Sequence, residues 1–334
     1  MHAQRELTVI SSKREPCLVF NLRQEGHVRP EKKSSHHVFR PIFDPRPIRR
    51  KSAPSCAWRE KVTLCIAAAC RDRRRPRVVI ATDWKVGIQT ATAEIQDKLY
   101  WIDDNTPVLI AGTISRAIEL KDTYQNYFAR LSKKEPPLKA SDLPDVMKRP
   151  LGIYKHKLAN EYVSLRLGLT YKQFLEAAGK KQVPEAVSTE IFSEISRISL
   201  QCWLIVVVFV KKEPYIYKID DEGTLHSCDN FAAIGSGSTI AEGILYQREQ
   251  ESSMALGRTV YHVFEAMKLG SIATDVGEEH TINVLHPPGD KRKDVAVDAL
   301  TEKAKLFLKR KFDKLGPKPF SNMPLPDGFF EQDF

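Results

Sequence analysis

Short apolar runs separated by charged turns dominate the two ends of the readable region. Residues 62–70 (VTLCIAAAC) and 77–83 (RVVIATD) flank the turn RDRRRP. This arrangement predicts a β-hairpin whose strands are buried on both faces. Residues 98–102 (KLYWI) and 106–111 (TPVLIA) predict a second hairpin around Asp103-Asp104-Asn105. From 115 to 131 the period changes: Ile118, Tyr124, Tyr127, Phe128 and Leu131 form a helical stripe. Residues 133–198 are punctuated by Pro136, Pro137, Pro144, Pro150 and Pro184, with helices expected over 151–165, 170–178 and 185–198.

Strands are expected again over 201–210, 214–219, 224–228 and 231–234, then helices over 239–249 and 255–268, and a last strand over 281–285. An amphipathic helix is expected around 295–312 in a charged tail. Runs of strands followed by paired helices argue for an α+β fold, two antiparallel sheets with helices outside. The expected organisation is a leader over 1–61, a domain over 62–290 with a helical insert at 133–198, and a tail over 291–334.

Charge sharpens that division. The net charge of +10 is concentrated in residues 1–61, which hold 14 Lys and Arg against 6 Asp and Glu; the rest of the chain holds 38 against 36. The basic excess therefore belongs to a Pro-rich, non-periodic leader, and nucleic acid is not an expected partner. The longest apolar run, residues 202–210, is far too short to span a bilayer, so no membrane is expected. Six cysteines at 17, 56, 65, 70, 202 and 228 form no CxxC pair and no zinc pattern. No metal or other cofactor is expected, and free thiols fit a reducing cytoplasm.

Four stretches in order, TLCIAAAC with RVVIATD, Asp97-Lys98-Leu99-Tyr100, VLIAGT at 108–113, and AAIGSGSTIAEGIL followed by AMKLGSIATDVG and TINVL, resemble the proteasome-type N-terminal-nucleophile (Ntn) hydrolases, in particular proteasome β subunits. The resemblance covers roughly residues 62–131 and 201–286. It implies a four-layer αββα sandwich of two antiparallel sheets flanked by helices. It also implies a threonine-type peptidase chemistry: an N-terminal Thr hydroxyl attacks an amide, with its own α-amine as base. Carried over by position, the nucleophile is Thr63, the Asp that orients the lysine is Asp83, and the lysine is Lys98. Gly112 lies at the oxyanion turn and Ser236 supplies a supporting hydroxyl. The implied partners are a peptide or other amide substrate and a homo-oligomer or ring-like assembly. A non-catalytic subunit of the same fold is the alternative.

Each residue also has a plainer role. Thr63 suits a strand, Asp83 a turn, Lys98 a solvated strand start, Gly112 and the Gly235/Gly237 pair a backbone bend, and Ser236 a helix cap. The later Asp-x-x-Ser-Gly support of the family corresponds to Ala273-Thr274-Asp275-Val276-Gly277, where only the glycine is in place. Val62 precedes Thr63, where the family cuts after glycine. A GTG start codon at that position would make Thr63 the N-terminus on removal of the initiator; autocatalytic removal of a propeptide is the competing expectation. The apolar run LCIAAAC leaves open whether Thr63 or position 62 holds the nucleophile's place, since one residue of slip reverses every side chain.

Overall fold

The computed structural model describes residues 63–83, 85–88, 91–94, 98–131, 138–272, 279–289 and 294–317. In chain order its elements are β1 (Cys65–Asp72), β2 (Arg75–Asp83), β3 (Lys85–Ile88), β4 (Ala91–Glu94), β5 (Leu99–Asp103), β6 (Thr106–Gly112), α1 (Ile114–Leu131), α2 (Leu143–Leu167), α3 (Tyr171–Gly179), α4 (Glu185–Ser196), β7 (Cys202–Val210), β8 (Glu213–Ile219), β9 (Leu225–Cys228), β10 (Phe231–Ile234), α5 (Ser238–Gln247), α6 (Leu256–Gly270), β11 (His280–His286), β12 (Ala296–Ala299) and α7 (Glu302–Leu315). Two antiparallel five-stranded sheets result, ordered β10-β1-β2-β11-β12 and β5-β6-β7-β8-β9, beside the small β3-β4 ribbon.

The layering follows from which faces the apolar residues occupy. Cys65, Ala67 and Ala69 of β1, with Val78 and Ile80 of β2, meet Leu109, Ile205, Val207 and Ile216 between the two sheets. The alternate residues Leu64, Ile66, Ala68, Val79 and Ala81 pack against Ala241, Leu245, Val263, Phe264 and Met267 of α5 and α6. On the far side, Val108, Leu204 and Val206 pack against Leu120 and Tyr124 of α1 and Met147, Leu151 and Tyr154 of α2. The order helix, sheet, sheet, helix is the expected αββα sandwich. Strands covered on both faces need apolar residues at every position, which explains the continuous runs.

The helical region departs from its local signals. Pro150 sits inside α2, although a proline in a helix interior costs about 3 kcal/mol. Burial of Leu143, Met147, Leu151 and Tyr154 along one side offsets that cost, so the helix starts eight residues before the expected 151. It ends at Gly168, whose φ of 68° forms a left-handed C-cap. Val163, Phe174 and Ile191 make a satellite cluster joining the end of α2 to α3 and α4.

The expected helix over 295–312 is corrected at its start. Residues 296–299 pair with β11 as β12, and α7 begins only after Thr301, whose hydroxyl accepts the Ala304 N–H at 3.3 Å. Among the described residues, no helix is long and apolar enough to cross a membrane and no group of His, Cys, Asp and Glu could hold a metal ion.

Candidate active site

Thr63, Asp83, Lys98 and Gly112 come to one end of the sandwich because of strand register. In the β1–β2 hairpin Cys65 lies opposite Thr82, so Asp83 falls opposite Leu64. The Asp83 N–H donates to the Leu64 carbonyl at 3.1 Å, and the Leu64 N–H donates to Asp83 Oδ1 at 3.0 Å. Lys98 Nζ donates to that same carboxylate oxygen at 2.5 Å. Both side chains are buried, Lys98 at 4% and Asp83 at 0% exposure. A lysine placed there is no solvated strand start. Its charge is held next to the backbone group that immediately follows Thr63.

The position of Lys98 is fixed by the second sheet. Its carbonyl accepts the Ile110 N–H at 3.1 Å, and the Ile110 carbonyl lies 3.5 Å from the Cys65 thiol. Cys65 thus bridges the two sheets two residues beyond Thr63. The alternation along β1 places Leu64 toward α5 and α6 and Cys65 toward the second sheet. Continued one step, it gives Thr63 the parity of Cys65, on the side between the sheets. Thr63 itself is buried.

Gly112 ends β6 with φ of 88°. A Cβ there would come within 2.7 Å of the Gln201 carbonyl, so the residue is required by the backbone whatever else it does. The Thr113 N–H donates to the Gln201 carbonyl at 2.8 Å, while Gly112 lies opposite Cys202. Ladder alternation then makes Gly112 and Cys202 a wide pair and turns the Gly112 N–H away from β7, to the β5 side where Lys98 lies.

The fourth wall comes from much later in the chain. Gly235, with φ of 96°, sits so close to Thr63 that a Cβ would overlap the Thr63 carbonyl. This contact brings the Gly235-Ser236-Gly237 turn beside Thr63. Ser236 is exposed, and Gly237 is the N-cap of α5. Behind the turn, a Cβ on Gly270 would meet Leu64 Cδ2 at 2.5 Å, so α6 closes directly on the start of β1. The segment 273–277 and positions 62 and 97 lie outside the described residues.

Away from this end, a buried polar network joins β1 to α6. Gln250 Nε2 donates to the Ala69 carbonyl at 3.1 Å and to Thr259 Oγ1 at 3.2 Å, and its Oε1 lies 3.0 Å from His262 Nδ1. Burial, with Arg258 and Arg248 nearby, pushes His262 down to about 4. Arg248 makes two bonds to the buried Glu265 at 2.7 and 2.6 Å. Burial pushes the Cys70 and Cys202 thiols up to about 12, which suits inert core cysteines rather than nucleophiles.

Residues 180–286 match the family model described as Proteasome subunit. The chain has a proteasome-type fold. The matched segment runs from the end of α3 to the end of β11 and includes Ser236, whereas Thr63, Asp83, Lys98 and Gly112 precede it. No curated protein matches the chain.

Proposed function

We propose that the chain is a proteasome-like Ntn hydrolase that cleaves an amide bond, a peptide bond being the first case to test. The observation that carries this reading is the buried Lys98–Asp83 pair bonded to the Leu64 N–H. A buried cation beside the start of β1 is costly unless paired, and this one is linked through Asp83 to the residue that follows Thr63.

In the proposed cycle, residues up to Val62 are first removed. The Thr63 α-amine, whose ordinary pKa is roughly 7.7–8.0, takes the hydroxyl proton as Oγ attacks the substrate carbonyl. The Lys98 ammonium opposes protonation of the amine beforehand. The oxyanion is met by the Gly112 N–H, with Ser236 as the supporting hydroxyl. The α-amine then passes its proton to the leaving amine, and water hydrolyses the ester. The active form is an oligomer, with rings as in proteasome subunits.

A non-catalytic subunit of the same fold is the second reading. It is favoured by the sequence at 273–277, where Val276 stands in the place of the family's serine. The discriminating experiment is N-terminal sequencing of the native protein, its native mass, and labelling by a threonine-directed electrophile. Covalent labelling of a chain beginning at Thr63, abolished by Thr63→Ala, supports the hydrolase. An unlabelled chain verified to begin at Thr63 supports the structural subunit.

A further inference from the structure

The opposite end of the sandwich carries cations in an unusual backbone setting. β1 and β2 are joined by Arg73 and Arg74, with φ of 47° and 70°, and β7 and β8 by Lys211 and Lys212, with φ of 51° and 72°. Two-residue hairpins of this kind require positive φ at both central positions, which is why Asn-Gly is the favoured pair there. Long side chains are uncommon at positive φ. Here both turns place two of them in succession, and both times the residues are cationic.

The two turns are brought together. Arg71 reaches across to Glu213 at 3.4 Å, and its other Nη donates to the Arg74 carbonyl at 3.4 Å. Arg71 and Glu213 thereby brace the tips while Arg73, Arg74, Arg75, Lys211 and Lys212 remain exposed. Asp72 is the other acidic residue within the two tips, and Asp103 and Asp104 lie on the neighbouring β5–β6 turn, since β6 adjoins β7. Residues 62–334 are nearly neutral, so this end is a local concentration of charge. Thr63 lies at the far end of β1, about 30 Å away at roughly 3.3 Å per residue.

We infer that the β1–β2 and β7–β8 turns form a binding surface for the phosphate backbone of nucleic acid. A protein partner would call for an apolar centre to the interface, and neither tip presents one. Sequence-independent phosphate binding needs only clustered cations, arginine above all, because its planar fork matches phosphate. The unfavourable turn residues are then explained: positions that Asn-Gly would fill more comfortably are given to side chains that reach outward.

The test uses the full chain and a fluorescein-labelled short DNA duplex, with affinity followed against salt. Two variants, Arg73→Asn with Arg74→Gly and Lys211→Asn with Lys212→Gly, install the pair that each turn favours. The arginine pair is expected to weaken binding at least fivefold and to flatten the log K against log salt slope by about 1.8, two contacts at about 0.9 each. The lysine pair is expected to flatten it by at least about 0.9, since Lys212 is also engaged within the chain. The thermal midpoint of each variant is expected to stay level or rise. No binding by the parent chain overturns the inference. So does unchanged affinity in both variants, which places binding in the basic residues 1–61. Displacement of the duplex by polyglutamate at equal charge overturns it in favour of an acidic protein segment.

Discussion

Lys98 and Asp83 share one carboxylate oxygen with the backbone N–H of Leu64, and this three-way junction fixes the start of β1 against the second sheet. Removing either partner takes this ion pair away from a buried charge. Asp83→Ala or Lys98→Ala is expected to lower the unfolding free energy by about 3–5 kcal/mol, measured by urea denaturation. The double replacement Asp83→Asn with Lys98→Met is expected to recover most of that loss. If the singles are as stable as the parent, the pair is not the junction described.

Gly235 touches the Thr63 carbonyl from a left-handed backbone. Gly235→Ala is expected to destabilise by more than about 1 kcal/mol, since both the conformation and the space are wrong for a Cβ. Limited proteolysis is the second readout: the variant is expected to be cut sooner near the start of β1. A silent substitution would mean that the turn stands clear of Thr63.

His262 is neutral in the folded chain because burial holds its pKa at about 4, below the ordinary 6.5; Arg258 and Arg248 oppose its protonation and Glu265 favours it. The unfolded state therefore binds more protons between these values, and stability rises with pH across that window. The contribution is complete above pH 6.5 and is lost as pH falls toward 4, on the order of 3 kcal/mol in all. His262→Gln is expected to flatten the stability profile between pH 4 and 6.5. A profile unchanged by the substitution would place the acid sensitivity elsewhere.

Thr82 lies beside Asp83 with its hydroxyl oxygen buried and, among the described residues, unbonded. Such a group costs about 1–3 kcal/mol, so Thr82→Val is expected to stabilise by about 1 kcal/mol. Calorimetry reads this directly, and a fall in midpoint would show that the hydroxyl has a partner.

The hairpins and the order of layers were legible because strands buried on both faces must be apolar throughout, as in LCIAAAC and WLIVVVF. The beginning of α2 was not legible, because Pro150 signals a break that only burial against α1 and the sheet overrides. The strand at 296–299 was hidden for a similar reason: Ala296–Ala299 is mostly exposed and owes its form to β11. At the candidate site, the family resemblance suggested Asp83, Lys98 and their pairing, whereas the two residues read by themselves suggested only a turn and a solvated strand start. The register of Thr63 was equally out of reach, since an all-apolar run carries no parity. It became readable once Leu64 and Cys65 had opposite neighbours.

The pairing of Cys65 with Ile234 sets the order in which the chain can complete this corner. Asp83 and Lys98 lie within 35 residues of Thr63 and come to it through local hairpin and sheet contacts, but Gly235 arrives only when a loop of about 170 residues has closed, a slow and late event. A chain still emerging from the ribosome therefore has its threonine and its lysine but no finished pocket. The fold itself delays completion of this corner until the chain has been made past Gly235.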